Sequence, residues 1–196
     1  GLIIGLIIGG LMMTGMASSF SGEITRLAGE KLIPLLLMGA ATAFILGVGM
    51  TVTAAYILLA IVLAPALIGL GLDPIAVHLF ILYWGMISFI TPPVALGAFA
   101  AASLAGATPM RTGFEAMRLG SVIYFLPFFF VLNPALVLHG DAITILLEVG
   151  SAIVGIVLIA SGLQGHLVLL GSFSTDIRSM AARIVLIAGG LALAYP

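Results

Sequence analysis

The chain has 196 residues, of which 63% are hydrophobic and only 7% are charged. So few charges exclude a soluble domain, which needs a polar surface around its core. A net charge of -1 is uninformative, no nucleic-acid partner is expected, and the lack of cysteine excludes both a disulfide framework and a thiolate metal site.

Several apolar runs approach the roughly 20 residues that a helix needs to cross a bilayer, and short polar segments separate them. That pattern predicts an all-α integral membrane fold over the alternating strands of a β-barrel. The chain starts at Gly1 and opens at once into GLIIGLIIGGLMM, without the charged flank of a signal peptide, so it reads as part of a longer polypeptide. Gly1 to Phe20 predicts a first membrane helix, and SGEITRLAGEK, Ser21 to Lys31, an interfacial loop.

An interrupted region follows over 32–72. Its apolar arms, Pro34 to Leu46 and Thr53 to Leu70, flank the stretch GVGMTVTAAYI, and Gly69, Gly71, Asp73 and Pro74 close it. Both two crossings and a re-entrant helical hairpin fit this pattern; the hairpin is the expectation here. The run Ile75 to Leu104, within 73–107, is cut by ITPPV at Ile90 to Val94. Successive prolines withdraw donors from the preceding turn, so a broken transmembrane helix is expected, with its freed carbonyls turned toward something polar.

In 108–140, TPMRTGFEAMRLG places Arg111, Glu115 and Arg118 at helical spacing behind a threonine and a proline, as an interfacial helix would, and Ser121 to Leu138 predicts a crossing. In 141–196 a carboxyl-terminal helix pair is expected over Ala142 to Gly162 and Arg178 to Ala194. If the hairpin returns to its side of entry, Arg111, Arg118, Arg178 and Arg183 share one face of the membrane, and Arg26 and Lys31 lie on the other.

Gly47 and Gly49 alone would suit close helix packing. Together with Thr51, Thr53 and the second break at Thr91, Pro92 and Pro93, they suit better the paired discontinuous helices with which secondary transporters build a midplane site. There, unwound carbonyls and hydroxyls coordinate a small cation, with no carboxylate required.

These segments carry a resemblance. GVGMTVTAAYILLAIVLAPALIGLGLDPIAVHLF, ISFITPPVALGAFAAASLAGATPMRTGFEAMRLG and FLPFFFVLNPALVL look like the carboxyl-terminal half of the large membrane subunit of tripartite ATP-independent periplasmic (TRAP) transporters, in the fused form that works with TAXI-type binding proteins. The similarity runs from about Leu11 to Leu138. It implies an elevator-type permease of the bacterial or archaeal inner membrane that imports an organic acid with sodium. The implied partners are a periplasmic substrate-binding protein, a small-subunit membrane segment, fused or separate, and the lipid bilayer.

The family's hairpin tip maps onto Gly47 to Tyr56 and its TPP break onto Thr91 to Pro93. By resemblance, Gly47, Val48, Gly49, Thr53, Ile90 and Thr91 would hold sodium, and Thr51, Thr53, Thr91 and Pro92 would line the substrate. The chain has Thr51 where the family usually has proline and Val52 where it usually has threonine, which leaves Thr53 the surer ligand. No cofactor is expected beyond the coupling ion.

His78, His139 and His166 lack metal-ligand spacing and read as packed or interfacial residues, and His139 with Asp141 as a solvated turn. Glu148 is the one acid well inside an expected crossing, close enough to its end to snorkel, and Asn133-Pro134 reads as a helix terminus. Tyr83, Trp84, Tyr124 and Phe128 to Phe130 read as helix packing or a lipid-facing belt before a substrate wall. No glycine-rich phosphate loop with lysine is present, and Ser88, Ser103 and Ser121 lack a basic partner, so neither ATP hydrolysis nor an intramembrane hydrolase is expected. The rival readings are a sodium/dicarboxylate carrier without a binding protein and a non-transporting membrane anchor.

Overall fold

The computed structural model describes residues 2–28, 31–167, 171–172 and 177–194. Their order is α1 (Leu2–Met13), α2 (Met16–Ala28), α3 (Leu32–Gly47), α4 (Val52–Val62), α5 (Ala64–Gly69), α6 (Pro74–Met86), α7 (Leu96–Ala105), α8 (Pro109–Leu119), α9 (Leu126–Leu132), α10 (Ala142–Gln164) and α11 (Ile177–Ala194). Short 3-10 turns lie at Ile87–Phe89, Ser121–Tyr124 and Pro134–Val137, and His166–Leu167 pairs antiparallel with Gly171–Ser172.

The start of the chain departs from the expected helix over Gly1 to Phe20. The segments Gly5–Met13 and Met16–Ile24 meet at 75°. Gly15 ends α1 in the left-handed region at φ +67, and the Thr14 hydroxyl donates to the Gly10 carbonyl at 2.8 Å. The polar residues expected in a loop instead continue α2, where Arg26 and Glu23 form an exposed pair at 2.7 Å.

Buried residues of α3 (Leu35, Leu36, Gly39, Ala40, Ala43, Gly47) and of α4 (Ala54, Ala55, Leu58, Leu59, Val62) each recur at helical spacing, so each helix turns one stripe inward. Both stripes meet α6, whose Ala76, Val77, Phe80, Ile81 and Gly85 are buried. Gly39 provides the close fit: a Cβ there would touch Leu63 and Phe80 at 3.6 Å. In lipid such contacts stabilise through van der Waals packing, since exclusion from water gains little there. Pro65, second in α5, has no N–H to give the Ile61 carbonyl, and the second arm is divided at Leu63 between α4 and α5.

Asp73 caps α6, accepting from the Ala76 amide at 2.9 Å, with Pro74 in the first helical position. Its other carboxylate oxygen, Oδ2, lies 2.7 Å from His139 Nδ1, so His139 joins the loop after α9 to the start of α6 and is more than a solvated turn. Between α6 and the segment formed by the Ser121–Tyr124 turn and α9, the rings of Phe80 and Phe128, Trp84 and Phe128, Trp84 and Tyr124, and Tyr83 and Phe130 meet edge to face at 5.4 to 6.1 Å. The aromatic cluster therefore serves helix packing.

The expected single helix over Ser121 to Leu138 is instead a 3-10 turn, α9 and a second 3-10 turn. Pro127 stands second in α9, where it can give no N–H to the preceding turn, and Asn133 caps the next turn by accepting from the Ala135 amide at 3.1 Å. Asn133 also donates from Nδ2 to Glu148 Oε2 at 2.8 Å, so it binds as well as terminates, and Glu148 is engaged with protein rather than only reaching for the interface.

Asp141 caps α10 through the Thr144 amide at 3.1 Å. Its carboxyl is held below the usual range, first by the Thr144 hydroxyl and then by that amide. α10 and α11 pack backbone to backbone. A Cβ on Gly155 would stand 2.6 Å from the Gly190 carbonyl oxygen, and one on Gly190 would stand 2.5 Å from that of Gly155. Among the described residues one helix, α10, is long and apolar enough to cross a membrane, or up to three spans if each bent pair counts as one.

Candidate functional site

The two interruptions lie next to each other. α3 ends at Gly47, Val48 turns extended, Gly49 takes φ +74, and Thr51 begins α4 by accepting from the Ala54 amide at 3.4 Å. Only glycine enters the Gly49 conformation cheaply, so the tight return from α3 to α4 depends on it. In the second break α6 tightens into the turn Ile87–Phe89, and α7 resumes at Leu96 after Ala95, which sits at φ +35. Pro92 and Pro93 have no N–H for the carbonyls four residues back, those of Ser88 and Phe89.

Gly47 joins the two. A Cβ on it would stand 2.4 Å from the Gly85 carbonyl oxygen, so the backbones touch where glycine alone fits. The Ser88 hydroxyl donates to the Gly47 carbonyl at 3.0 Å and has the Gly85 carbonyl 3.4 Å away. Thr91 is buried at 9% exposure, donates to the Ile87 carbonyl at 2.8 Å and shares a hydrogen bond with the Tyr124 hydroxyl. Its own carbonyl accepts from the Ala95 amide at 3.1 Å.

Among the residues singled out in the sequence, Gly47, Ile90, Thr91 and Pro92 thus belong to one packed region. Val48, Gly49, Thr51 and Thr53 lie on its exposed side. Among the described residues, neither Thr51 nor Thr53 hydrogen-bonds to the second break. α8 closes the far side: a Cβ on Gly113 would stand 2.7 Å from Pro92 Cγ, and one on Gly120 would stand 2.8 Å from Ile90 Cδ1.

Ser88, Gly85 and Tyr124 were not legible as site residues. The one sequence signal of Gly85 and Ser88 is spacing, since they recur with Thr91 every three residues along one side of the break, and Tyr124 carried only its aromatic character. The region offers neutral oxygens only. Among the described residues no group of three His, Asp or Glu side chains could hold a metal ion, so any cation here would rely on carbonyls and hydroxyls.

Residues 3–145 match the family model described as tripartite ATP-independent periplasmic transporter, DctM component. The chain belongs to this family. No curated protein and no solved structure matches it. It is therefore a TRAP-type membrane permease component, a multi-pass transporter subunit from a family of transporters rather than enzymes. Both interruptions and α8 lie within the matched residues, whereas most of α10 and all of α11 lie beyond them.

Proposed function

We propose that this DctM-family chain supplies the cation and substrate site of an inner-membrane importer of organic acids, loaded by a periplasmic binding protein and driven by a sodium gradient. It corresponds to the carboxyl-terminal half of a TAXI-type fused permease, accompanied by a small-subunit membrane segment. The helices α3 and α4 form a re-entrant hairpin, α6 and α7 the halves of a broken membrane helix, and the assembly moves as an elevator.

One observation supports this most: two segments of irregular backbone, far apart in sequence, meet through Gly47, Gly85 and Ser88. Irregular backbone at membrane depth persists only when buried in protein or facing a polar cavity, and a contact between two such segments gathers carbonyl and hydroxyl oxygens in one place. Sodium is a hard cation that needs several oxygens together; backbone carbonyls of Gly47 to Gly49 and of Ile90 to Thr91 flank the contact, and Thr53, on its exposed side, would add its hydroxyl by turning toward them. The organic acid would lie alongside, against Thr51, Thr53, Thr91 and Pro92.

The test is uptake of a panel of radiolabelled organic acids by the intact permease in proteoliposomes, with its co-purifying binding protein outside. Uptake that requires both the binding protein and inward sodium supports the reading. Uptake without the binding protein would favour a sodium/dicarboxylate carrier. No uptake, with bulky apolar replacements tolerated at Thr53 and Thr91, would favour a membrane anchor.

A further inference from the structure

We infer that Ser88 is a positioning residue that works as a two-acceptor latch on the hairpin tip; this rests on the transport reading above. Ser88 is 1% exposed, and its hydroxyl has a single proton and two carbonyls within reach. The Gly47 carbonyl, at 3.0 Å, belongs to the other segment, 41 residues away. The Gly85 carbonyl, at 3.4 Å, belongs to Ser88's own helix end, three residues back.

The difference between the two acceptors has a mechanical consequence. With the tip docked, the Gly47 carbonyl accepts from Ser88 and, at 3.3 Å, from the Met50 amide, so Ser88 fixes the direction of that carbonyl and with it the carbonyls and hydroxyls that follow in the tip. When the tip departs, the proton turns to Gly85. Because the buried donor always keeps an acceptor, release of the tip does not leave an orphaned polar group, which is the usual penalty for breaking a buried hydrogen bond. Ser88 therefore makes docking directional without making it irreversible. Cation binding between the two segments, which needs the tip held in place, favours the docked state, and by reciprocity docking tightens the cation.

Sodium titration of the purified intact permease tests this without knowledge of the substrate. Ligand binding to the folded state raises the melting temperature, so the sodium concentration at half-maximal shift reports affinity, with choline as the matched control. Ser88→Ala is expected to raise that concentration about fivefold, equivalent to about 1 kcal/mol of lost ligand positioning. The melting temperature in choline should remain close to wild type. Ser88→Cys keeps the shape with a weaker donor and should fall between the two; it also carries the test if Ser88→Ala does not accumulate.

An unchanged sodium midpoint in these variants, with Thr53→Val still raising it, overturns the latch and leaves the site intact. A lower melting temperature in choline with an unchanged midpoint overturns it too, in favour of plain packing. A wild-type protein that sodium stabilises no more than choline overturns the site reading and the latch together.

Discussion

The Gly47 backbone lies so near Gly85 that a Cβ on the first would stand 2.4 Å from the carbonyl oxygen of the second. Both sides of this contact are backbone, so no flexible side chain can give way. Gly47→Ala should therefore push the hairpin tip from the end of α6, at a cost of about 1–3 kcal/mol typical of overpacking. The expected result is a protein that still assembles, because the Phe80 core is untouched, but transports at least tenfold more slowly. Wild-type uptake in Gly47→Ala would show that the contact does not exist in the working permease.

Gly49 poses the opposite problem. Nothing lies within 4 Å of a Cβ there, but its φ is +74. The constraint is conformational, so substitutions should rank by their tolerance of the left-handed region, with Asn milder than Ala and Val worst. Ala should cost about 1–2 kcal/mol, consistent with that conformational strain. Equal activity of Gly49→Asn and Gly49→Val in the same uptake assay would contradict this ranking.

Composition and apolar spacing foretold an all-helical membrane protein, and the first arm of the interrupted region follows α3 closely because it turns one periodic stripe inward, whereas the second is divided into α4 and α5 ahead of Pro65. The bend at Thr14-Gly15 was not legible, since a lone glycine in an apolar run looks the same whether it packs or turns. Likewise, ITPPV marked the second break, but no local pattern could tell that Ser88 would reach Gly47. Periodicity reports which face is buried; it does not report which distant backbone lies against it. The pairing of Asn133 with Glu148 escaped for the same reason.

Thr91 and Tyr124 hold the second break to the turn before α9 through their hydroxyls. Thr91→Val preserves shape, removes the bond to the Ile87 carbonyl and takes a partner from Tyr124, so a loss of about 1–3 kcal/mol is expected. Tyr124→Phe should cost less, because Thr91 keeps Ile87 as its acceptor. A double-mutant cycle on melting temperature should give a non-zero coupling of about 0.5 kcal/mol or more. Strict additivity would mean that the two hydroxyls do not share a bond.

Arg183 of α11 reaches back to the end of α10, where its Nε donates to the Gly162 carbonyl at 2.7 Å and a terminal nitrogen to the Leu163 carbonyl at 2.9 Å. A cation on the last carbonyls of a helix satisfies orphan acceptors and opposes the negative end of the dipole. Arg183→Ala should weaken the α10–α11 pair by about 1–2 kcal/mol. Arg183→Lys keeps the charge but loses the planar two-donor fork, so it should recover only part.

The last prediction concerns the polar contact by which α10 meets the turn after α9. The Ala135 amide donates to Asn133 Oδ1, so the Asn133 NH2 group must point at Glu148, 2.8 Å away. Glu148 therefore need only be an acceptor. Glu148→Gln can still accept through its amide oxygen and should change the melting temperature in detergent little. Glu148→Leu removes the acceptor and leaves the NH2 of Asn133, itself 5% exposed, without its partner, for a loss of about 1–3 kcal/mol. Asn133→Leu should be worse, since it also uncaps the turn at Pro134–Val137. Combining Asn133→Leu with Glu148→Leu should cost less than the sum of the two single changes, because replacing both partners leaves nothing polar unsatisfied. Additive losses would show that Asn133 and Glu148 act separately, and that α10 is held against α9 by its apolar contacts, such as Phe129 with Ile159, alone.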